Sequence, residues 1–184
     1  IAHPVYPELH RIRALRQVGI DVPVGELGGF VQSEANLSQD RDEAWLYGDS
    51  VSRDDARVCD GARLYDQAMA QDLALVSGSS TMYDNAVACD NAILTAGCIR
   101  NEAIVCGNAR VRENTITHAS PVVTGQGVVM GDISGCIVVF EQGFVLPGQT
   151  IDNPIRDLIG ISDRTVAIAW NRGRQNHFRN TPER

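Results

Sequence analysis

Small and aliphatic residues return at a fixed interval of six through residues 44–97. A small residue opens each unit, and a residue that is aliphatic in most units follows two positions later. Because side chains alternate between the two faces of a strand, the first and third residues of a unit point to the same side. The pattern therefore predicts a series of short strands with one face in a core. The small positions are Ala44, Ser50, Ala56, Ala62, Ala68, Ala74, Ser80, Ala86 and Ala92, and the positions two residues later are Leu46, Ser52, Val58, Leu64, Ala70, Val76, Met82, Ala88 and Leu94.

Residues that favour turns separate these strands. Pairs such as Gly48-Asp49, Asp60-Gly61 and Asp84-Asn85 fill the last two positions of a unit. Gly, Asp and Asn tolerate the positive φ that a sharp corner requires. Three such units make a triangular coil of about 18 residues, so the sequence predicts an all-β fold, a left-handed parallel β-helix of stacked coils. The alternative, a β-sandwich, has strands spaced every 8–12 residues rather than every six.

The repeat continues on both sides of this segment, with two interruptions. Earlier units begin at Gly29 and Ala35 and precede an inserted loop over Gln39–Glu43. One corner residue is missing near Ala96, and with this deletion Ile99 points inward while the arginine after it points outward. That register avoids burying an unpaired arginine. Later units are expected to begin at Ala103, Ala109, Thr115, Pro121 and Gly127.

The two ends are expected to cap the stack, because an open β-helix exposes unpaired strand edges. Near the N-terminus, Leu9, Ile12 and Leu15 recur at helical spacing, which predicts a helical lid. Near the C-terminus, two apolar runs around Asp163-Arg164 predict a hairpin. The predicted organisation is a helical cap and lead-in over residues 1–28, the β-helix over 29–152, and a hairpin with an Arg-rich tail over 153–184.

Composition favours one soluble domain in the cytoplasm. The chain has 184 residues, of which 43% are hydrophobic, and no segment is long and apolar enough to cross a membrane. A net charge of −7 makes general nucleic-acid binding an unfavourable interpretation. Five cysteines without a CxxC pair favour reduced thiols over a disulfide framework or a zinc site. No metal and no cofactor are expected.

The opening motifs resemble those of a known family. They read "LHRIRALRQVGIDVPVGELGGFVQSEANLS", then "AWLYGD", then repeated "x-A-R-V" units. In this order they are similar to the YdcK-like β-helix proteins of bacteria and phages, over roughly residues 9–150. The resemblance implies the family's architecture and does not specify a reaction, because hexapeptide acyltransferases share the fold and fold alone does not carry function.

An acyltransferase would need an outward histidine as general base in a cleft between subunits. His118 has the right position, because it is the fourth residue of the unit that begins at Thr115. The sequence shows no acidic residue placed to orient it and no long loop in the middle coils to wall off a pocket. This hypothesis implies acyl-CoA as the substrate, with His118 as the catalytic residue.

One outward column of the coil is aromatic, because positions 18 residues apart stack about 4.8 Å from one another. It contains Tyr47, Tyr65 and Tyr83, and Arg100 and then His118 follow after the deletion. Rings at this spacing suit offset stacking, and Arg100 is placed to form a cation–π pair with Tyr83. The column either stabilises the sheet as a solvent-facing ladder or binds a partner or a planar ligand.

A second outward column is apolar. A strand pleat of the opposite sense would point the residues of this column into the core, but it would also bury Arg53 and Gln71 without partners. Contiguous exposed apolar surface usually marks an interface, so we expect a homo-oligomer, either a dimer or a trimer. Two cysteines beside the column are expected to be free thiols on adjacent coils. The predicted interface residues are Val51, Met69, Val87, Ile104, Cys89 and Cys106.

Two classes of function remain at this stage. The first is a non-catalytic binding or assembly protein of phage or prophage type. Such a protein would associate with itself and bind a host protein, for example to block a host defence system. The second is a divergent hexapeptide-type acyltransferase that uses His118. The sequence leaves the question of enzymatic activity open and leans towards a protein without it.

Overall fold

The computed structural model describes residue 3, residues 6–40, 43–155 and 157–162, and the backbone of two further strands, 165–171 and 174–177. The fold is an all-β parallel solenoid of about seven turns, with about 18 residues in each turn. Strand pairing shows the period directly, because Val51 pairs with Met69 and Met69 pairs with Val87. The predicted parallel β-helix is confirmed, and its left-handedness stays a prediction.

Most strands are two residues long, and a single turn of 3₁₀ helix lies at Glu34–Asn36 in the described part of the chain. The strands are β1 (His10–Arg13), β2 (Leu27–Val31), β3 (Trp45–Leu46), β4 (Val51–Ser52), β5 (Arg57–Val58), β6 (Arg63–Leu64), β7 (Met69–Ala70), β8 (Leu75–Val76), β9 (Thr81–Met82), β10 (Val87–Ala88), β11 (Ile93–Leu94), β12 (Cys98–Ile99), β13 (Ile104–Val105), β14 (Arg110–Arg112), β15 (Val122–Val123), β16 (Val128–Val129), β17 (Asp132–Gly135), β18 (Ile137–Val139), β19 (Phe144–Val145), β20 (Thr150–Asn153), β21 (Ile159–Ser162), β22 (Thr165–Asn171) and β23 (Arg174–His177).

From β2 to β21, consecutive strands lie in different sheets, so the chain passes around a triangular prism. Face 1 has the order β1-β2-β4-β7-β10-β13-β16-β19, face 2 the order β20-β17-β14-β11-β8-β5, and face 3 the order β23-β22-β21-β18-β15-β12-β9-β6-β3. Equivalent residues of successive coils are therefore neighbours in columns that run along the prism.

The core is the narrow space enclosed by the three faces. Aliphatic third-position residues such as Leu46, Leu64 and Met82 have no exposed surface, and small first-position residues such as Ala62 and Ala68 are equally buried. The small third-position residues on face 1, Ser52, Ala70 and Ala88, are fully buried too. The strands of face 1 therefore do not have the reversed pleat that would point Val51, Met69 and Val87 into the core. The predicted inward positions of the repeat are confirmed.

The corners depend on residues in the left-handed region of backbone space. Six aspartates occupy the first corner position with φ between 56° and 60°. Their carboxylates accept the backbone N–H of the equivalent corner one coil further on, at 2.8–3.4 Å. This N–H would otherwise lack a partner, so the side chain satisfies the backbone where the strand ladder stops. The six residues are Asp54, Asp60, Asp66, Asp72, Asp84 and Asp90.

The predicted N-terminal helix is wrong. Residues His10–Arg13 form β1, which pairs antiparallel with β2, and Leu15 is 90% exposed instead of lying on a buried helical face. A strand suits this place because the edge of the first coil carries unpaired N–H and C=O groups that a helix does not satisfy. Arg11 fastens the segment through an ion pair with Asp49 at 2.7 Å.

The deletion near Ala96 is confirmed. Cys98 pairs with Thr81, 17 residues earlier, and Ile99 is fully buried. The next residue, Arg100, is exposed as predicted.

The unit predicted to begin at Thr115 is absent from the stack. Cys98 pairs with Val122, 24 residues later, so this coil carries six residues more than the usual 18. The chain between β14 and β15 leaves the prism as a loop. Asn114 organises this loop: its Oδ1 accepts the N–H groups of Ile116 and Thr117, while its Nδ2 donates to Asp152 at 2.9 Å.

The C-terminal end changes from parallel to antiparallel pairing. β18 pairs with β21 in parallel, whereas β21 pairs with β22 and β22 with β23 in the antiparallel sense. The turn predicted at Asp163-Arg164 and the tail beyond His177 lie outside the described residues.

The corner aspartates lead to a stability prediction. Asp72→Ala removes the acceptor of the Asp90 N–H and leaves an alanine in the left-handed region, so we expect the free energy of unfolding to fall by about 1–2 kcal/mol. Asp72→Asn tolerates this backbone and keeps an acceptor oxygen, so its loss should be much smaller. Chemical denaturation followed by circular dichroism measures both variants, and equal losses would contradict the proposed role of the corner.

Candidate functional site

The apolar column predicted on face 1 points outward. Val51, Met69, Val87 and Ile104 align through direct strand pairing. Val51 is only 5% exposed, because Leu9 and Phe30 pack on it. The N-terminal segment thus covers the top of the column, and the other three residues stay partly exposed. Val51 belongs to an intramolecular contact rather than to a free surface.

The exposed part of face 1 extends further than the sequence predicted. Below Ile104 the column continues with Val128 and Phe144. From Cys89 onward, a parallel column two residues further along each coil is also apolar. We call the two columns together the apolar patch. It consists of Val87, Cys89, Ile104, Cys106, Val128, Met130, Phe144 and Leu146.

The second half of the apolar patch was missed although its signal is visible in the sequence. The units that begin at Gly127 and Gly143 place apolar residues at both outward positions of their strands. The sequence does not specify the strand register across the loop between β14 and β15. That register determines which of the three faces these two units join.

Charge is low along the middle of the apolar patch. The corners beside Ile104 and Val128 include Asn101-Glu102, Gly107-Asn108 and Gly125-Gln126, which together carry one carboxylate. By contrast, the two corners beside Val51 are Gly48-Asp49 and Asp54-Asp55, with three carboxylates. Arg11 and Arg53 pair with two of these three carboxylates, so the two regions differ in the number of charged groups rather than in net charge.

The two cysteines of the apolar patch lie on adjacent coils, as predicted, because Ala88 pairs with Val105 directly before them. Both are free thiols. Partial burial raises the pKa of Cys89 to about 12 and also raises the pKa of Cys106. Both thiols are therefore protonated at neutral pH, which makes them slow nucleophiles.

The tyrosine ladder on face 3 is confirmed as a stack. The ring centroids of Tyr47 and Tyr65 are 4.5 Å apart, those of Tyr65 and Tyr83 are 4.6 Å apart, and the planes differ by only 4° and 6°. The three rings are therefore stacked nearly parallel, and each ring covers one face of the next. At the first tyrosine, Asp21 accepts the Tyr47 hydroxyl at 2.9 Å and pairs with Arg63 at 2.7 Å.

The continuation predicted for this column is wrong in two respects. Arg100 directs its Nε to the Thr124 hydroxyl at 3.2 Å, and the cation–π pair found in the described residues joins Arg11 to Phe30 instead. The position after Arg100 in the column belongs to Thr124, because the loop removes His118 from the stack. The stack therefore has three rings, and Arg100 and Thr124 separate it from Phe140 further along the column.

His118 lies on the loop between β14 and β15, with 78% of its side chain exposed. Its Nδ1 is 2.6 Å from Glu113 Oε1. The expectation that no acidic residue orients this histidine is therefore wrong, because the same irregular loop brings Glu113 to it. The pair faces solvent on a loop and is not placed in a cleft of the chain.

A cavity between the N-terminal segment and the first coil was not predicted. It has a volume of about 530 Å³, and its lining includes Ile12, Val18, Leu37 and Trp45. Trp45 is 4% exposed, and its indole N–H has no hydrogen-bond partner in the described residues. The cavity lies where the loop after β1 faces the first coil.

No protein-family model matches this chain, and no curated protein matches it in sequence. The resemblance to the YdcK-like proteins is therefore supported only at the level of the β-helix fold. Across the described residues, no helix has the length and apolar character needed to span a bilayer.

The tyrosine ladder gives a spectroscopic prediction. Burial, and then the hydrogen bond to Asp21, raise the pKa of Tyr47, and burial raises the pKa of Tyr83. Since ionisation is delayed by a raised pKa, both phenols should stay protonated as the pH passes about 10. A pH titration of tyrosinate absorbance should show late-ionising tyrosines, and Tyr47→Phe and Tyr83→Phe should each remove part of that late phase. A late phase unchanged in both variants would contradict the partial burial of these two rings.

Proposed function

We propose that this protein is a non-catalytic assembly and binding module that associates with a second copy of itself through the apolar patch on face 1. The observation that carries the proposal is the pair of adjacent apolar columns over four successive coils of a rigid sheet. Outward positions of a solvated sheet are normally polar, and contiguous apolar surface of this kind usually marks an interface.

The apolar patch has the size of an interface centre. Its four strands at about 4.8 Å give a height of about 19 Å, and six residues per coil give a width of about 20 Å. The resulting area of about 400 Å² is about half of the roughly 800 Å² that each partner buries in an interface of standard size, so the polar rim around the patch would supply the rest. A two-fold axis through the centre of the apolar patch would place apolar surface on apolar surface.

Charge permits the same arrangement. Two copies with a net charge of −7 each repel one another, so a stable contact should form where few charged groups lie. The corners beside Ile104 and Val128 carry one carboxylate. The region around Val51 holds more charged groups, and the N-terminal segment already covers part of it.

A further macromolecular partner remains part of the proposal. The tyrosine ladder supplies a second flat strip, on face 3, that self-association through face 1 leaves open. A phage or prophage origin, a host protein as partner and the blocking of a host defence system rest on the family resemblance alone. The cytoplasmic location rests on composition and stays a prediction.

Ile104→Glu tests the assembly directly. It places an unpaired carboxylate in the middle of the apolar patch, where a dry contact would make it costly by several kcal/mol, yet the outward position should leave the coil folded. We expect light scattering to give a smaller particle mass for this variant than for the parent, with unchanged circular dichroism.

Ile93→Glu is the matched control. Ile93 holds the same outward position on face 2, where its strand neighbours are Leu75 and Arg110. This variant should keep the mass of the parent. If both variants matched the parent in mass, or if the control dissociated as readily, the assignment of the contact to face 1 would be wrong.

The acyltransferase alternative has one observation in its favour, the contact between His118 and Glu113. A carboxylate on Nδ1 is the arrangement that orients a histidine base. The exposure of the His118 side chain argues against it, since the loop supplies no walls that exclude water.

Calorimetry with acyl-CoA decides between the two functions. We expect no binding heat with the parent chain and no difference for His118→Ala. Saturable binding that disappears in His118→Ala and in Glu113→Gln would establish the transferase alternative instead.

A further inference from the structure

Three ligating side chains converge at one edge of face 1. The sulfur atoms of Cys89 and Cys106 and a carboxylate oxygen of Asp90 all lie within 4.8 Å of one another. Both cysteines are partly buried, and Asp90 is exposed at the corner that follows Cys89. The cluster therefore has a semi-enclosed sulfur side and an open oxygen side.

The fold holds these groups in place. The two cysteines lie on adjacent coils in parallel register, fixed by the pairing of Ala88 with Val105. Asp90 has a left-handed backbone with φ of 57°, and its Oδ2 accepts the Gly107 N–H at 2.8 Å, which turns the carboxylate towards the coil of Cys106. Sequence-distant ligands are thus brought together by the same contacts that build the solenoid.

The separation of the sulfurs fits one shared ion. In a tetrahedral site, Zn–S bonds of about 2.3 Å place two thiolate sulfurs about 3.8 Å apart. The two sulfurs lie within 4.8 Å of each other, which is compatible with this separation.

We propose that Cys89, Asp90 and Cys106 form a binding site for a single thiophilic divalent cation of the Zn²⁺ class, with a fourth coordination position open to solvent. Two thiolates and one carboxylate are a ligand set that such ions prefer over Mg²⁺ or Ca²⁺. The proposal contradicts the expectation from the sequence that the chain has no metal site. It concerns the single chain and does not rest on the proposed function. Because Cys89 and Cys106 also belong to the apolar patch, the two proposals hold together only if the contact leaves the Asp90 edge of face 1 uncovered.

Binding exchanges protons for the ion. The two thiols each lose a proton and form a sulfur–metal bond, while Asp90 binds as a carboxylate, so one divalent ion releases two protons into solution. No electron transfer and no co-reactant are involved. A surface contact with a cation at the corner would instead release no protons.

The test is a titration of the reduced full-length chain with Cd²⁺ in the presence of a non-thiol reductant. Thiolate-to-cadmium charge transfer absorbs in the ultraviolet, so the band reports sulfur ligation directly. We expect saturation at one ion per chain with release of two protons. Cys89→Ser and Cys106→Ser should each abolish the band.

Matched variants distinguish loss of a metal ligand from a general change in the coil. Asp90→Asn should weaken Cd²⁺ binding at least about tenfold, the scale on which even outer-shell partners of metal ligands act. Asp84→Asn is the control, because Asp84 makes the equivalent corner hydrogen bond, to Asn101, outside the cluster. Cys98→Ser, which removes a single cysteine on face 3, should leave the titration unchanged.

Three outcomes would overturn the proposal. They are the absence of a charge-transfer band in the parent, a band that survives both Cys89→Ser and Cys106→Ser, and equal effects of Asp90→Asn and Asp84→Asn. Circular dichroism of each serine variant shows that the coil is intact, so that loss of the band is not loss of fold.

Discussion

The hydrogen bonds between successive coils are the interaction on which the rest of this molecule depends. In the regular coils, strand N–H groups donate to carbonyls 16 or 17 residues later in the next coil, and the corner aspartates continue the same bonding where the strands stop. Once this register is fixed, equivalent positions must stack in columns. The buried aliphatic core, the tyrosine stack, the apolar patch and the cysteine pair are all consequences of one repeated vertical alignment.

The periodic part of the fold could be predicted because each unit carries its own signal. A small residue, an aliphatic residue and a corner residue that tolerates positive φ specify the strand, its inward face and its turn. The one-residue deletion near Ala96 was also predictable, because the alternative would have buried an arginine. The pairing of Cys89 with Cys106 and the stacking of the tyrosines followed from counting alone.

The prediction failed where the requirement was not local. The spacing of Leu9, Ile12 and Leu15 fits a helix, but the open edge of the first coil needs backbone partners, and a strand supplies them. The unit expected at Thr115 has the right residue types, yet Asn114 turns the chain out of the stack and binds Asp152 on another coil. That error moved His118 into the wrong column and hid both its contact with Glu113 and the lower half of the apolar patch.

The three faces of the prism differ in what they can bind, and the central claim concerns face 1. Sedimentation equilibrium of the unmodified chain over a range of concentrations tests it most directly, because it requires no substitution. The account predicts a mass that is a whole multiple of 20.0 kDa and falls towards a single chain on dilution. A single species of 20.0 kDa at every concentration would contradict the assembly proposed here.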